Sequence, residues 1–449
     1  MKRKTFLKTS AALVAGGFLP NLTACTEEKK VVVRKNWAGN YTYKAPNLHQ
    51  PKTVEEVQAL VKKLDAQKAL GSCHCFNDIA DSPANQISTK ELNKIVSLDE
   101  KAMTVTVEAG AKYGQFCPEL DEKGFAIHNL ASLPHISVAG ACATATHGSG
   151  VKNGNLASAV TGLEMVTGTG EVISLSREKD GDKFNGAVVG LGALGIVTKM
   201  TLAVQKSFQV RQDLFIDLPL QQMKEHFDDI MSSGYSVSLF TDWQKELVSQ
   251  VWVKRKVDAQ TQNMGAEFFG AKAATKNLHP IIALSAENCT EQMGVAGVWY
   301  ERLPHFKMGF TPSGGEELQS EFFVSRKNAV DAILALEKKR DLITPQLMIS
   351  EIRTVAADDL WLSPCYKQDS VAIHFTWKQH IPEVMALIKM IEAELEPFQY
   401  MPHWGKLFTI TPSVLHKRYA RFNDFLTLVK EYDPQGKFKN DYLNKNVFV

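Results

Sequence analysis

Two stretches of the chain combine small residues with a few side chains that can do chemistry. The first, Leu70–Asp78, contains Gly71, Ser72 and His74, and the second, Ala131–Gly150, has few bulky side chains. Backbones without large side chains let their N–H groups approach an anion closely, which suits the phosphates of a dinucleotide. Two ordinary turns are the alternative, but ordering so many small residues without a ligand is costly in conformational entropy. These stretches therefore predict a dinucleotide site.

Polar side chains recur two residues apart in the later part of the chain. Glu351 and Arg353 lie in one strand-like segment, and His374 and Thr376 lie in another. Because side chains alternate between the faces of a strand, each pair shares a face. Donors and acceptors so placed match the several hydroxyls of a polyol. A solvated sheet face with a surface ion pair is the alternative, but Lys406, beside an imidazole and an indole, favours a binding site.

Two further patterns resemble cofactor and metal motifs without the context that those motifs need. Residues 190–195 spell G-x-G-x-x-G, but the strand-like run 196–202 follows where a dinucleotide-binding motif requires a helix. We therefore predict a tight turn with close backbone approach, and no nicotinamide site. Cys73, His74 and Cys75 lack the ligand spacing of a zinc site, so no metal is expected.

The elements that must position these residues differ between the two halves of the chain. Residues 36–206 read as short strands alternating with helices, and Thr53 with Glu56 predicts a capping box at the start of one helix. The predicted strands are 95–98, 102–107, 188–189 and 196–204, with a hairpin of 160–166 and 171–175.

Residues 207–400 indicate an α+β domain with an antiparallel sheet, because helical and strand-like patterns alternate there. The predicted helices are 220–231, 330–338 and 381–395, and the predicted strands are 236–240, 247–253 and 371–377. The tail, 401–449, carries one further predicted helix over about 413–432.

The composition is that of an ordinary globular protein. The 449 residues are 44% hydrophobic and 22% charged, with a net charge of +2. This excludes a disordered chain and a polytopic membrane protein, and it disfavours a strongly basic nucleic-acid binder. The length predicts two domains, or one large domain with insertions.

The first 25 residues are typical of an export leader. Basic residues at positions 2–4 precede an apolar run too short to span a bilayer, and a small-residue cleavage site ends at Cys25. This resembles a bacterial lipobox, which predicts acylation of Cys25, a tether over 26–35, and a lipid-anchored protein on the periplasmic or surface face of the bacterial cell envelope. A plain secretory peptide is the alternative. A partial likeness to a twin-arginine signal leaves the export route open.

Taken together, these motifs resemble the FAD-linked oxidases of the vanillyl-alcohol-oxidase (PCMH) type, in the branch of alditol (xylitol) oxidases and sugar-lactone oxidases. The resemblance covers the chain from about residue 36 onward. The strings that carry it are NWAGN (36–40), GSCHCFND (71–78), SLPHISVAG (132–140), THGSG (146–150), GALGIVT (192–198), EIR (351–353), HFTW (374–377) and HWGK (403–406).

This resemblance implies an α+β fold with three parts after the leader. Residues 36–206 would form a two-subdomain PCMH-type FAD-binding domain. Residues 207–400 would form an α+β substrate (cap) domain with an antiparallel sheet. Residues 401–449 would complete the active site and pack on the FAD domain.

The resemblance also implies FAD as the cofactor and names residues to hold it. His74 matches the histidine that members of this family bond to the flavin 8α carbon, although the flanking Cys73 and Cys75 depart from the family's pattern. No cysteine occurs at the family's second attachment position, so one covalent bond is expected. Cys142 also reads as a small packed residue. The other implied cofactor residues are Gly71, Ser72, Cys73, Cys75, Ser132, Ser137, Gly140, Ala141, Cys142, Ala143, His147, Gly148, Ile196 and His403.

The implied reaction is oxidation of a polyol at a primary alcohol, with a hydride passing to flavin N5 and oxygen restoring the flavin. His374 is the expected base near neutral pH, and Lys406 and Arg353 would stabilise the developing alkoxide. The implied substrate-binding residues are Ser132, Glu351, Arg353, Thr376 and Lys406.

Two alternatives stay open at this point. A sugar-1,4-lactone oxidase or dehydrogenase of the same fold is one, because a lactol carbon is easier to oxidise than a primary alcohol. A non-catalytic sugar-binding surface lipoprotein is the other, although the intact His74, His374 and Lys406 disfavour it. The expected partners are a polyol or sugar lactone and oxygen or another electron acceptor. We expect a monomer that binds no nucleic acid and meets a membrane only through lipid on Cys25.

Overall fold

The computed structural model describes residues 33–309 and 316–448, and these belong to one compact unit, Val33–Val449. The predicted leader, its Cys25 and most of the predicted tether lie outside the described residues. Within the described ranges, no helix has the length and apolar character needed to cross a membrane.

A small parallel sheet leads into the first small-residue stretch. Its elements are β1 (Asn47–His49), α1 (Val54–Lys63), β2 (Gln67–Leu70) and β3 (Asn85–Ser88), with β3 between the other two strands. The start of α1 is as predicted, because the Glu56 N–H donates to the Thr53 hydroxyl. The Glu56 carboxylate accepts from the Lys52 N–H instead of the Thr53 N–H, so the capping box is shifted by one residue.

The residues after β3 form a five-stranded antiparallel sheet with the strand order β4-β5-β9-β7-β8. A separate pair of short strands, β6 and β10, is also antiparallel. The predicted strand pair at 95–107 and the predicted hairpin at 160–175 are confirmed. The elements are β4 (Ile95–Asp99), β5 (Thr104–Glu108), α2 (Tyr113–Glu122), β6 (Phe125–Ala126), α3 (Val138–Ala143), β7 (Val160–Thr167), β8 (Val172–Ser176), α4 (Arg177–Val188), β9 (Gly195–Ala203) and β10 (Gln205–Lys206).

The glycine-rich segment after α4 differs partly from its prediction. The predicted strand at 188–189 is wrong, because Val188 ends α4 and Val189 caps that helix. A pair of apolar residues fits the buried face of a helix as well as a strand, so periodicity could not separate them. The predicted tight turn is confirmed, since Leu191 and Gly192 both have positive φ and β9, not a helix, follows.

A larger antiparallel sheet occupies most of the later half, and its ten strands within the described ranges follow the order β14-β15-β11-β13-β12-β18-β19-β17-β20, with β16 on β11. This confirms the predicted α+β character. The elements are β11 (Gln209–Pro219), α5 (Leu220–Ser232), β12 (Ser236–Thr241), β13 (Leu247–Val257), β14 (Glu267–Phe268), β15 (Ala271–Ala273), β16 (Gly297–Val298), β17 (Glu317–Ser325), α6 (Ala329–Glu337), α7 (Arg340–Ile343), β18 (Leu347–Val355), β19 (Ser370–Lys378), α8 (Ile381–Leu395) and β20 (Met401–Pro402).

The tail forms three helices: α9 (Pro412–Arg418), α10 (Phe422–Tyr432) and α11 (Asp441–Asn446). The single helix predicted over 413–432 is therefore wrong. It breaks at Tyr419, whose backbone is extended at φ −90° and ψ 103°. The Tyr419 ring is buried and stacks on Trp404, with the ring centroids 5.1 Å apart. This tertiary contact overrides a helical pattern that contains no glycine or proline at the break.

Asn440 attaches the C-terminal segment to the loop that follows β2. Its Nδ2 donates to the carbonyl oxygens of Asp78, Ile79 and Asp81, at 3.1, 3.0 and 2.8 Å. Its Oδ1 accepts from the Leu443 N–H and so caps α11. One buried amide therefore joins two parts of the chain that are 359 to 362 residues apart.

We expect Asn440→Asp to lower the free energy of unfolding by about 2–3 kcal/mol. The new carboxylate would still cap α11, but it would face three carbonyl oxygens with no proton to donate. Urea denaturation followed by circular dichroism measures the loss. Asn444→Asp, on the exposed side of the same helix, is the matched control and should change stability by less than about 0.5 kcal/mol. Equal losses in the two variants would contradict the role given to Asn440.

Candidate active site

A cleft of about 2120 Å³, measured out to its open mouth, connects the small-residue stretches with the larger sheet. Its walls are the loop after β2, the segment 131–147, the turn 190–195, one face of β17, β18 and β19, and the loop 403–406. Because its walls come from both halves of the chain, a ligand that lies along the cleft contacts the small-residue stretches and the larger sheet together.

His74 lies in the wall of the cleft with its imidazole against Trp37. The two rings are stacked at 5.5 Å with an angle of 17° between their planes. Neither ring nitrogen makes a hydrogen bond of ordinary geometry, although both are buried, and burial lowers the pKa of His74 to about 4. A neutral imidazole with two unsatisfied nitrogens is costly to bury unless a ligand engages it. This environment fits a histidine that holds a flavin.

The two small-residue stretches meet at Ser137, which precedes α3. The Ser137 N–H donates to the Ser72 hydroxyl at 3.0 Å. A Cβ on Gly71 would lie 2.6 Å from the Ser137 Oγ, and one on Gly140 would lie 2.9 Å from it. A side chain at either position would therefore displace the Ser137 hydroxyl, and with glycine at both the cleft wall there is backbone. A wall of this kind suits the phosphates of a dinucleotide, as the sequence predicts.

Most of the predicted cofactor residues line the cleft. Those that do are Gly71, Ser72, Cys73, His74, Cys75, Ser132, Gly140, Ala141, Ala143, His147 and His403. Four do not: Ser137 stands behind the glycines, Cys142 is fully buried in the core, Gly148 packs on Asn129, and Ile196 points into a separate aliphatic core. These four lie next to residues that do line the cleft, but neighbours in a strand or helix turn to different sides.

The predicted substrate residues converge on the opposite part of the cleft. Glu351 on β18 pairs directly with His374 on β19, and both line the cleft together with Arg353 and Thr376. Each of the four is less than a tenth exposed, so the alternative of a solvated sheet face is wrong. Arg353 Nη1 lies 3.3 Å from the Ser132 hydroxyl, which joins this group to the second small-residue stretch.

Lys406 reaches the same group from the loop 403–406. The amide of Asn77 donates to the carbonyls of Trp404 and Lys406, at 2.9 and 2.8 Å, and so ties this loop to the loop that carries His74. Only 14% of the Lys406 side chain is exposed. Burial lowers the pKa of Lys406, and Glu321 opposes this shift. The structure therefore places the predicted cation beside the predicted flavin loop.

Glu321 on β17 joins these cations, and the sequence analysis missed it. Its carboxylate accepts from Lys406 Nζ at 2.8 Å and from Arg353 Nη2 at 2.8 Å, and it lies 3.2 Å from His147 Nε2. Burial alone would raise the pKa of Glu321, but Lys406, His147 and Arg353 together hold it well below its usual value. Glu321 is thus a buried anion that fixes two cations in place.

His374 is neutral in this environment. Burial lowers its pKa well below the usual value, and Lys406 and Arg353 lower it further, against the opposing charges of Glu321 and Glu351. Its two ring nitrogens are buried without hydrogen-bond partners. A neutral imidazole can accept a hydrogen bond from a hydroxyl, as the sequence predicts, but its affinity for a full proton is lower than the sequence suggested.

Comparison with known proteins identifies the family. The FAD binding domain family matches residues 46–176, and the D-arabinono-1,4-lactone oxidase family matches residues 318–446. Alditol oxidase of Streptomyces sp. (strain IKD472 / FERM P-14339) is 44% identical over 415 residues, which cover 91% of this chain and 97% of that protein. The chain belongs to the alditol and sugar-lactone oxidase family of FAD-dependent enzymes.

More distant members of the family span the chain equally well. L-Gulono-1,4-lactone dehydrogenase of Mycobacterium tuberculosis is 27% identical, over 91% of this chain and 98% of that protein. The solved structure of cholesterol oxidase from B. sterolicum superposes with a TM-score of 0.76, over 92% of this chain and 96% of that one, at 15% identity. That likeness shows the fold, which confirms the predicted PCMH-type architecture.

Membership of this family makes the protein an FAD-dependent oxidoreductase that acts on CH–OH groups, so the non-catalytic alternative is wrong. The residues of the cleft fit FAD, because a backbone-lined wall and a buried imidazole with unsatisfied nitrogens lie together. The segments that would hold it are the loop after β2, the segment 131–147 and the turn 190–195.

Proposed function

We propose that the protein oxidises an alditol, such as xylitol or sorbitol, at a primary alcohol, and that oxygen takes the electrons from the reduced cofactor. The observation that carries this proposal is the buried group of Glu321, Glu351, Arg353, Lys406 and His374 on one side of the cleft whose other walls fit FAD. Its two carboxylates balance its two cations, so the site favours an uncharged substrate with several hydroxyls. The relative at 44% identity is named alditol oxidase.

The side chains of this group have separable roles in the proposed reaction. FAD, when bound, supplies the acceptor for the hydride. Lys406 and Arg353 stabilise the negative charge that develops on the substrate oxygen, and they lower the pKa of that hydroxyl. His374 accepts the hydrogen bond of the reacting hydroxyl with a neutral ring nitrogen, and it takes up the hydroxyl proton as the hydride leaves the carbon. Glu351 and Thr376 hold the remote hydroxyls, which fixes the reacting carbon in place.

Anaerobic reduction of the flavin tests the proposal. We expect xylitol and sorbitol to bleach the flavin absorbance faster than a galactono-1,4-lactone does at the same concentration. The match of the lactone-oxidase family to residues 318–446 supports a lactone as the second candidate, and faster bleaching by the lactone would establish it. No bleaching by any of the three would contradict both.

We propose that His74 carries the flavin through one covalent bond. Acid-precipitated wild-type protein should then fluoresce under ultraviolet light, and His74→Ala should lose this fluorescence because the proposed bond is made by its imidazole. His380→Ala, at an exposed position, is the control and should keep it. A fluorescent pellet from His74→Ala would contradict the attachment.

We propose that the protein is exported and anchored in the bacterial cell envelope by lipid on Cys25, and that it is a monomer. The leader pattern of residues 1–25 supports the export and the lipid anchor. Cys25→Ser should abolish labelling by palmitate and move the protein from the membrane fraction to the soluble fraction. Unchanged labelling of that variant would contradict the anchor.

A further inference from the structure

A row of buried polar groups runs along the sheet face that carries the substrate residues of the cleft. It consists of Lys254 on β13, Glu351 on β18 and His305, which lies between β16 and β17 and itself lines the cleft. Each of the three is less than a tenth exposed. Lys254 Nζ lies 3.0 Å from His305 Nδ1, and His305 Nε2 lies 2.6 Å from Glu351 Oε1. Neither Lys254 nor His305 has a role in the reaction described above.

The contacts of Lys254 decide which ring nitrogen of His305 carries the proton. Its ammonium has three protons, and three acceptors surround it: the carbonyls of Leu303 and Pro304, at 2.5 and 3.1 Å, and His305 Nδ1. Nδ1 therefore accepts. Burial and the Lys254 charge lower the pKa of His305 to about 4, so the ring has one proton, which lies on Nε2. His305 thus donates to Glu351.

This arrangement keeps Glu351 ionised and oriented. Burial would raise the pKa of Glu351, but Arg353 and His305 together hold it well below its usual value. Arg353 Nε lies 3.6 Å from the other carboxylate oxygen. An ionised carboxylate only accepts hydrogen bonds, so the substrate group that meets Glu351 must donate one.

We propose that Lys254 and His305 are positioning residues that set the enzyme's selectivity for a hydroxyl at one position of the substrate, by holding Glu351 as an oriented acceptor. The proposal rests on the proposed function in that the substrate is a polyol. A site built to pair a hydroxyl discriminates strongly against an analogue that lacks it, because the buried acceptor is then left unpaired.

Steady-state kinetics of matched variants tests the proposal, at about pH 6, where Lys254 is protonated because burial lowers its pKa only to about 7. We expect His305→Ala to raise KM for xylitol about 10- to 100-fold and to change kcat less than about threefold. His305→Gln, whose amide can accept from Lys254 and donate to Glu351, should restore most of the loss. Lys254→Met should raise KM, but it should add nothing in the His305→Ala background.

The same variants give a selectivity readout that loss of structure would not reproduce. Wild-type kcat/KM should fall at least about tenfold for one monodeoxy analogue of xylitol, and this penalty should shrink severalfold in His305→Ala. Flavin content reports folding of each variant. Any of three results would overturn the proposal. The effects of Lys254→Met and His305→Ala could be additive, kcat could fall as much as KM rises, or the loss of kcat/KM with the deoxy analogue could be the same in His305→Ala as in the wild type.

A measurement without substrate separates this proposal from the proposed function. In protein labelled with ¹⁵N-histidine, the His305 resonance, assigned from its absence in His305→Gln, should show the Nε2–H tautomer, and Lys254→Met should shift the tautomer equilibrium. A wild-type His305 with its proton on Nδ1 would overturn the proposed positioning of Glu351 by Lys254 and His305, even if polyols reduce the flavin. If the tautomers are as expected but polyols do not reduce the flavin, only the proposed substrate is overturned.

Discussion

Lys406→Ala is expected to lower kcat/KM for the polyol about 100- to 1000-fold while the flavin content of the protein stays normal. Lys406 is a largely buried cation that lines the cleft and donates to Glu321. Removing it takes away the charge that we propose stabilises the developing alkoxide, whereas the wall that would hold the cofactor is unchanged. Stopped-flow reduction of the flavin measures the rate, and the ratio of flavin to protein absorbance measures the content.

The matched control for this change is Lys430→Ala, at an exposed position of α10. This variant should keep the wild-type kcat/KM and the wild-type flavin content. A Lys406→Ala enzyme that keeps a tenth or more of the wild-type kcat/KM would remove Lys406 from the catalytic group. A parallel loss of flavin would instead mean that Lys406 serves the cofactor.

Glu321→Gln is expected to lower the free energy of unfolding by about 3–5 kcal/mol at neutral pH and also to lower kcat/KM. The variant leaves Lys406 and Arg353 buried without the carboxylate that they share. Urea denaturation measures the stability, and the kinetic assay used for the first prediction measures the activity. Glu316→Gln, at an exposed position close by, is the control and should change neither the free energy of unfolding nor kcat/KM.

The loss in Glu321→Gln should depend on pH with a definite sign. The folded pKa of Glu321 is held below its unfolded value of about 4.3. The contribution of the Glu321 charge to the free energy of unfolding is therefore complete above about pH 4.3, and it is lost as the pH falls toward the folded pKa. The stability difference between wild type and variant should be largest at neutral pH and smaller at about pH 3. A difference that grows on acidification would contradict the charged role of Glu321.

The substrate face of the larger sheet could be predicted from the chain because its signal is local. Glu351 with Arg353, and His374 with Thr376, repeat at the two-residue period of a strand, and the structure places all four on one wall of the cleft. The polar alternation that ends at Glu321 has the same period. Glu321 was missed because no strand was predicted there, and an apolar run follows the polar alternation at once.

Other features depend on contacts that no local pattern contains. The break between α9 and α10 follows from the stacking of Tyr419 on Trp404, and nothing in the neighbouring residues marks it. Lys254 and His305 are 51 residues apart, and a lone lysine in a strand gives no hint of a buried partner. Pairings of this kind follow from the register of the sheet and from the path of a loop, and both are decided by the tertiary fold.

The large sequence separation between Asn440 and its bonding partners limits when the site can form during synthesis. The loop that carries His74 is made early, yet Asn440 holds the end of that loop across a separation of up to 362 residues, and Asn77 ties it to Trp404 and Lys406. Domains usually fold as they leave the ribosome, from the amino end onward. Here the chain must be synthesised at least as far as Asn440 before these bonds can form, so the loop with His74 is secured late in synthesis.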